Sequence, residues 1–160
     1  WKRSAHGGAL ELLAPDEAVV QKRVAGLDPT RDYRLSTGCV QCHATGYGSP
    51  SGYPVPREGG WLTEDEKKRA KNLAGVGCEA CHGKGSLYAP YKKDHEDYRR
   101  PDLARLGANV PLTKEHCTGC HTPGGPTMPR DYAFEFQPAS QRDAFHEEIQ
   151  LEHDHGVNDR

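Results

Sequence analysis

The chain has 160 residues, of which 34% are hydrophobic and 8% aromatic, and a formal net charge of −2. That length suits a single domain over 1–160; the charge balance excludes the basic footprint of nucleic-acid binding, and no stretch approaches the ~18 apolar residues of a direct membrane span. With 18 Gly and 12 Pro the chain is loop-rich and poor in core-forming side chains, so something other than a conventional core must hold it together.

In chain order, residues 1–13 read as helical through Leu10, Leu12 and Leu13, with Gly7 and Gly8 weakening the pattern. Pro15-Asp16-Glu17 opens a second helix to about Arg23, ended by Gly26 and Pro29. Residues 44–61 form a long loop. Thr63 with Glu66 makes a capping box, which predicts a helix from about Glu64 to Leu73; Gly75 and Gly77 follow. Pro101 and Gly107 bracket a short helix, and Thr113 caps a turn before the third cysteine pair. Residues 122–138 are Pro-rich and irregular, and Ser140 with Asp143 starts a last helix to about His153. No alternating strand pattern is present. The expected fold class is mostly α with extensive irregular loop.

The six cysteines form three pairs, each followed at once by histidine: Cys39, Cys42 and His43; Cys78, Cys81 and His82; Cys117, Cys120 and His121. C-x-x-C-H is the pattern of c-type haem attachment. Two thiols add across the two vinyl groups on one porphyrin edge, and the adjoining histidine becomes the proximal iron ligand. Zinc needs two such pairs per metal, which leaves one pair over, and a thioredoxin-like pair requires no histidine. With nine histidines in the chain, chance places one after all three pairs roughly twice in ten thousand. The pairs recur every 39 residues, but the segments between them are unlike one another, so no solenoid repeat is implied. The expectation is a multihaem cytochrome c fold organised around three covalently bound haem c groups, whose apolar faces supply the missing core.

Distal ligands must come from His6, His95, His116, His146, His153, His155 or Met128. His6 stands beside an apolar face of the first helical stretch and is the leading candidate. His116 directly precedes Cys117, too close to reach the far side of its own haem. His95 lies in a charged run, His153-Asp154-His155 in an acidic tail, and Met128 in a Pro-rich loop where a gap-filling role competes. His146, beside Phe145, stays open.

The stretches WKRSAHGGALELL (1–13), AGLDPTRDY (25–33), GCVQCHATGYG (38–48), NLAGVGCEACHGKGS (72–86), RRPDLARLG (99–107), HCTGCH (116–121) and the late H-x-H (153–155) cover most of the chain. Together they resemble the multihaem cytochromes typified by the tetrahaem cytochrome that accepts electrons from hydroxylamine oxidoreductase. The resemblance implies that His6 is distal ligand to the haem on Cys78/Cys81 and His155 to the haem on Cys117/Cys120. It implies an open, five-coordinate haem on Cys39/Cys42. The family's first C-x-x-C-H, which precedes the residue matching Trp1, has no counterpart here; His95 matches the distal ligand of that haem, and would then lack an iron or complete a haem from elsewhere.

The expected function is electron transfer between redox partner proteins, whose weak docking the pairs Lys67-Lys68, Lys92-Lys93 and Arg99-Arg100 and the acidic stretch Glu147–Asp159 would steer. Two alternatives accompany it. An open haem would reduce nitric oxide, nitrite or a sulfur oxyanion, although no catalytic acid–base set is discernible. Alternatively the chain is a haem-relay subunit of a larger complex or self-assembled filament. Haem attachment of this type occurs outside the cytoplasmic membrane, which implies a periplasmic or extracellular protein of a bacterium or archaeon and a signal peptide already removed.

Overall fold

The computed structural model describes residues 1, 3–54 and 62–137. They fold into short helices joined by turns: α1 (Val19–Val24), α2 (Thr37–His43), α3 (Glu64–Asn72), α4 (Cys78–His82), α5 (Gly85–Asp94), α6 (Arg100–Arg105) and α7 (Lys114–Thr118), with 3-10 turns at Glu11–Leu13 and Tyr33–Leu35. No strand forms among the described residues; Ala44 makes isolated bridges to Ala74 and Gly75.

α3 follows the expected capping box. Thr63 Oγ1 accepts from Glu66 N at 3.2 Å, and the Glu66 carboxylate accepts from Thr63 N at 2.9 Å. α6 also begins and ends as expected, with Pro101 in its first turn and Gly107 at φ +87° just beyond it.

Three expectations are corrected. Residues 3–10 are a run of turns rather than a helix: their bonds mix three- and four-residue spacing, and only Glu11–Leu13 is regular. The second helix starts at Val19, because Asp16 and Ala18 hold left-handed φ values of 60° and 46°. α5 lies in a stretch where the sequence pattern predicts no element, and it carries Pro90 within it. The helix expected after Ser140, and the later half of the 44–61 loop, lie outside the described residues.

Leu10, Leu13, Tyr33, Val40 and Ala44 form the apolar cluster, with Leu27, Cys39, Tyr53 and Ala74 packed around it. Lys22 is buried beside this cluster: its ammonium donates to the Ala14 carbonyl and lies 5.6 Å from the Tyr33 ring centre. The Tyr33 hydroxyl accepts from Asp28 N at 3.0 Å.

Asp32 caps the Tyr33–Leu35 turn, accepting from Arg34 N at 2.9 Å and from the Arg34 guanidinium at 2.7 and 3.0 Å. The guanidinium hydrogen bonds hold the Asp32 carboxyl below its usual value. A depressed carboxylate stabilises the fold fully above its unfolded value, near pH 4, and loses that contribution as pH falls through its lower folded value. Acid titration of wild type against Asp32→Asn should therefore show the two stabilities converging below about pH 4 and separating above it. A gap that is unchanged across that window would remove the assignment.

Candidate haem-attachment site

Each cysteine pair sits on or beside a short helix. Helical winding carries the two thiols of C-x-x-C to one side and brings the next histidine close beneath them. α2 contains all of Cys39, Cys42 and His43, and α4 all of Cys78, Cys81 and His82. α7 stops at Thr118, which leaves Cys120 and His121 in the following turn. All six cysteines are unpaired, and among the described residues no three His, Cys, Asp or Glu side chains assemble as a set for a bare metal ion.

The first and third motifs meet at their second cysteines. Cys120, though exposed as a residue, places its thiol against Cys42. Burial first and the Cys42 hydrogen bond second push that thiol up to about 12, with Cys81 and Cys117 also within electrostatic reach. Burial also pushes up the Cys81 thiol, aided by Cys117 and Cys78, and the Cys117 thiol, aided by Glu115.

The His43 ring is oriented from outside the motif. Its Nδ1 lies 2.7 Å from the Ala9 carbonyl oxygen. A carbonyl only accepts, so Nδ1 carries the proton and Nε2 keeps a lone pair for a metal. His82 is positioned through its backbone: Asn109 N donates to the His82 carbonyl at 3.0 Å and Asn109 Nδ2 to the Cys81 carbonyl at 2.9 Å. Gly83, at φ +81°, lets the Gly107 carbonyl come to 2.5 Å of where a Cβ would stand.

A buried hub joins the first two motifs. Thr45, two residues after His43, donates from Oγ1 to the Gly75 carbonyl at 2.8 Å and accepts from Gly77 N at 2.7 Å. Its backbone N–H reaches the Leu73 carbonyl at 3.0 Å. Gly77 is the cap residue before Cys78, so one hydroxyl registers α4 against the end of α2. The same strip holds His6: Val76 N donates to the His6 carbonyl at 2.9 Å, and Trp1 Nε1 donates to the Val76 carbonyl at 2.7 Å.

His6 stands on a turn beside His121, with ring centres 5.8 Å apart and planes at 79°. Burial lowers the pKa of both rings, and His121 lowers that of His6 further, so both favour the neutral, ligating form. His121 Nδ1 is 3.0 Å from the Tyr132 hydroxyl, and the Phe134 ring stacks on the imidazole at 4.7 Å and 22°. Tyr132, Phe134, Thr45 and Asn109 were not identifiable as site residues in the sequence, since each meets its motif across a turn or a long chain separation.

The remaining candidates separate. His95 is exposed, stacked on Tyr91 at 4.0 Å, with Nδ1 donating to the Tyr91 carbonyl at 3.1 Å. His116 is exposed and accepts from Thr113 N at 3.0 Å, a capping role. Met128 is half-buried, its side chain folded against its own turn at Gly125. His146, His153 and His155 lie outside the described residues.

The residues present fit covalent haem: two cysteines on or beside one short helix in each motif, His43 in the ligating tautomer and His121 desolvated. Were His121 to hold a haem iron through Nε2, its Nδ1–H would donate to the Tyr132 oxygen, which would add electron density to the ligand and favour Fe(III). Tyr132→Phe is expected to retain all haem and to raise the midpoint potential of a single haem in a spectroelectrochemical titration. Unchanged potentials would show that the Tyr132 contact does not tune the iron.

A family model described as cytochrome c554 and c-prime matches residues 1–83, which include the first two C-x-x-C-H motifs. Cytochrome c-554 of Nitrosomonas europaea is 32% identical over 176 aligned positions, covering 95% of this chain and 70% of that protein. The solved structure of the reduced state of cytochrome c554 from Nitrosomonas europaea matches with a TM-score of 0.61 at 30% identity, over 92% of this chain and 70% of that one.

Proposed function

The chain belongs to the cytochrome c554 and c-prime family, and from that premise we propose that it is a three-haem electron relay, with one haem c on each of its C-x-x-C-H motifs. Membership makes it a multihaem c-type cytochrome of electron transport, with covalently attached haem. Bound haem supplies a one-electron Fe(III)/Fe(II) couple. The chain's part is to hold three such groups close, in fixed orientation and partly shielded from water. His43, His82 and His121 are the proximal ligands. What supports the three-haem reading is that each motif sets its two cysteines and histidine on or beside one short helix.

His6 is assigned as distal ligand of the haem on Cys78/Cys81 and His155 of the haem on Cys117/Cys120, as the family resemblance implies. The bond from Val76 N to the His6 carbonyl at 2.9 Å, two residues before Cys78, supports the first pairing. The partners are redox proteins docking weakly and transiently in the periplasm or beyond it. No helix among the described residues is long and apolar enough to cross a membrane.

Intact mass together with a pyridine haemochrome assay tests the haem number, and three covalent haems are expected. Two or fewer, with free thiols remaining, would overturn it. His6→Ala tests the ligand assignment: one haem turns high-spin, and loss of that haem through Cys78→Ser/Cys81→Ser removes the new signal. If the high-spin signal survives in that variant, His6 serves another iron.

A further inference from the structure

We propose that Arg69 is the anchor for a propionate carboxylate of the haem on Cys39/Cys42. The proposal rests on the reading that this motif carries haem. Arg69 lies in the last turn of α3, and its Nε is buried with no hydrogen-bond partner, alone in this among the side-chain nitrogens and oxygens of the described residues. A guanidinium stays charged at any pH the fold survives and offers only donors, so a buried Nε–H of this kind calls for an acceptor. The acceptors nearby in sequence do not supply it. Glu64 pairs with Lys67 at 2.7 Å, Glu66 bonds Thr63, and Asp65, one turn before Arg69, forms no ion pair with it.

The placement of the turn points to the first motif. Leu73, one turn beyond Arg69, accepts from Thr45 N, and Ala74 and Gly75 bridge to Ala44, the residue that follows His43. Ala74 also packs on the cluster that contains Val40 and Cys39. The end of α3 is thus fastened to the end of α2, where Cys42 and His43 stand. A haem held there brings two carboxylates of its own, and a guanidinium binds a carboxylate through two parallel N–H donors. A fixed cation at that edge disfavours Fe(III) relative to Fe(II), so Arg69 both seats the ring and raises its potential.

The test uses the haem-loaded protein as wild type, Arg69→Leu, Arg69→Gln and Arg69→Lys. With all haems retained, the Leu and Gln variants should show one midpoint potential shifted downward and a changed propionate bending band in resonance Raman spectra. Lysine, which keeps the charge without the fork, should restore most of the potential but not the band. Arg69→Gln is the milder change should Arg69→Leu lose haem during maturation. Unaltered potentials and an unaltered propionate band in haem-replete variants would overturn the proposal. So would a wild-type spectrum that responds to added nitrite or phosphate with the response lost in Arg69→Leu, because that outcome marks a site for a free oxyanion. A covalent haem count below three in wild type would instead fault the three-haem reading, which keeps the two failures apart.

Discussion

Gly75→Ala is expected to lower the unfolding free energy by roughly 3 kcal/mol and to turn one haem high-spin. Gly75 has φ +79°, and a Cβ there would meet the Gly7 carbonyl oxygen at 2.3 Å and the His6 carbonyl oxygen at 3.0 Å. Every one of these contacts is backbone, so no side-chain rotation relieves them. The left-handed conformation alone disfavours an L side chain by about 1–2 kcal/mol. Pushing residues 6 and 7 away also breaks the bond from Val76 N to the His6 carbonyl and loosens the Trp1 contact to Val76, at about 1 kcal/mol each. His6 then loses the placement that sets its ring beside His121. Denaturant titration read against the spin state separates the two effects, and His6→Ala should reproduce the spectrum with a smaller loss of stability. A Gly75→Ala protein with the wild-type midpoint and the wild-type spin state at that haem would refute the account of the strip that carries His6.

The chemistry of this protein was legible wherever it is encoded locally. C-x-x-C-H is a five-residue pattern whose spacing is the mechanism, and Thr63 with Glu66 closes a capping box within one turn. The Pro101 to Gly107 bracket is local in the same sense. What the sequence concealed is non-local. The helical look of residues 1–13 gave way because Gly7 is drawn against Gly75, sixty-eight positions away, and a continuous helix would not present its backbone there. α5 was hidden by Gly85 at its start and Pro90 in its middle, both poor helix formers. It forms because Glu79 accepts from Gly85 N at 2.6 Å, the Tyr88 hydroxyl donates to the Gly83 carbonyl, and α6 packs beside it. Ala9 could not be read as a partner of His43, since what it offers is a backbone carbonyl that any residue has.

Produced without haem attachment, the chain is expected to show no cooperative unfolding transition and little of its helical signal, a larger change than any single substitution would produce. Short helices of five to ten residues do not persist in water on their own and need an apolar face packed against something. α3, α4, α5 and α7 contain no buried residue, although α4 carries the whole second motif and α7 the start of the third. The buried apolar side chains among the described residues are Ala9, Leu10, Leu13, Tyr33, Val40, Ala44, Leu103 and Ala108, and of these only Val40 is wholly enclosed. Three are alanines, which contribute little area. That set can organise the region around α2 but offers only Leu103 and Ala108 near α4 and α5, so those helices and α7 draw their stability from the faces of covalently held porphyrins. Circular dichroism and thermal melts of the chain expressed in the cytoplasm, beside the haem-loaded protein, measure the difference directly. A haem-free chain with native helicity and a sharp melt would mean that the polypeptide supplies its own core, contrary to what its sparse burial indicates.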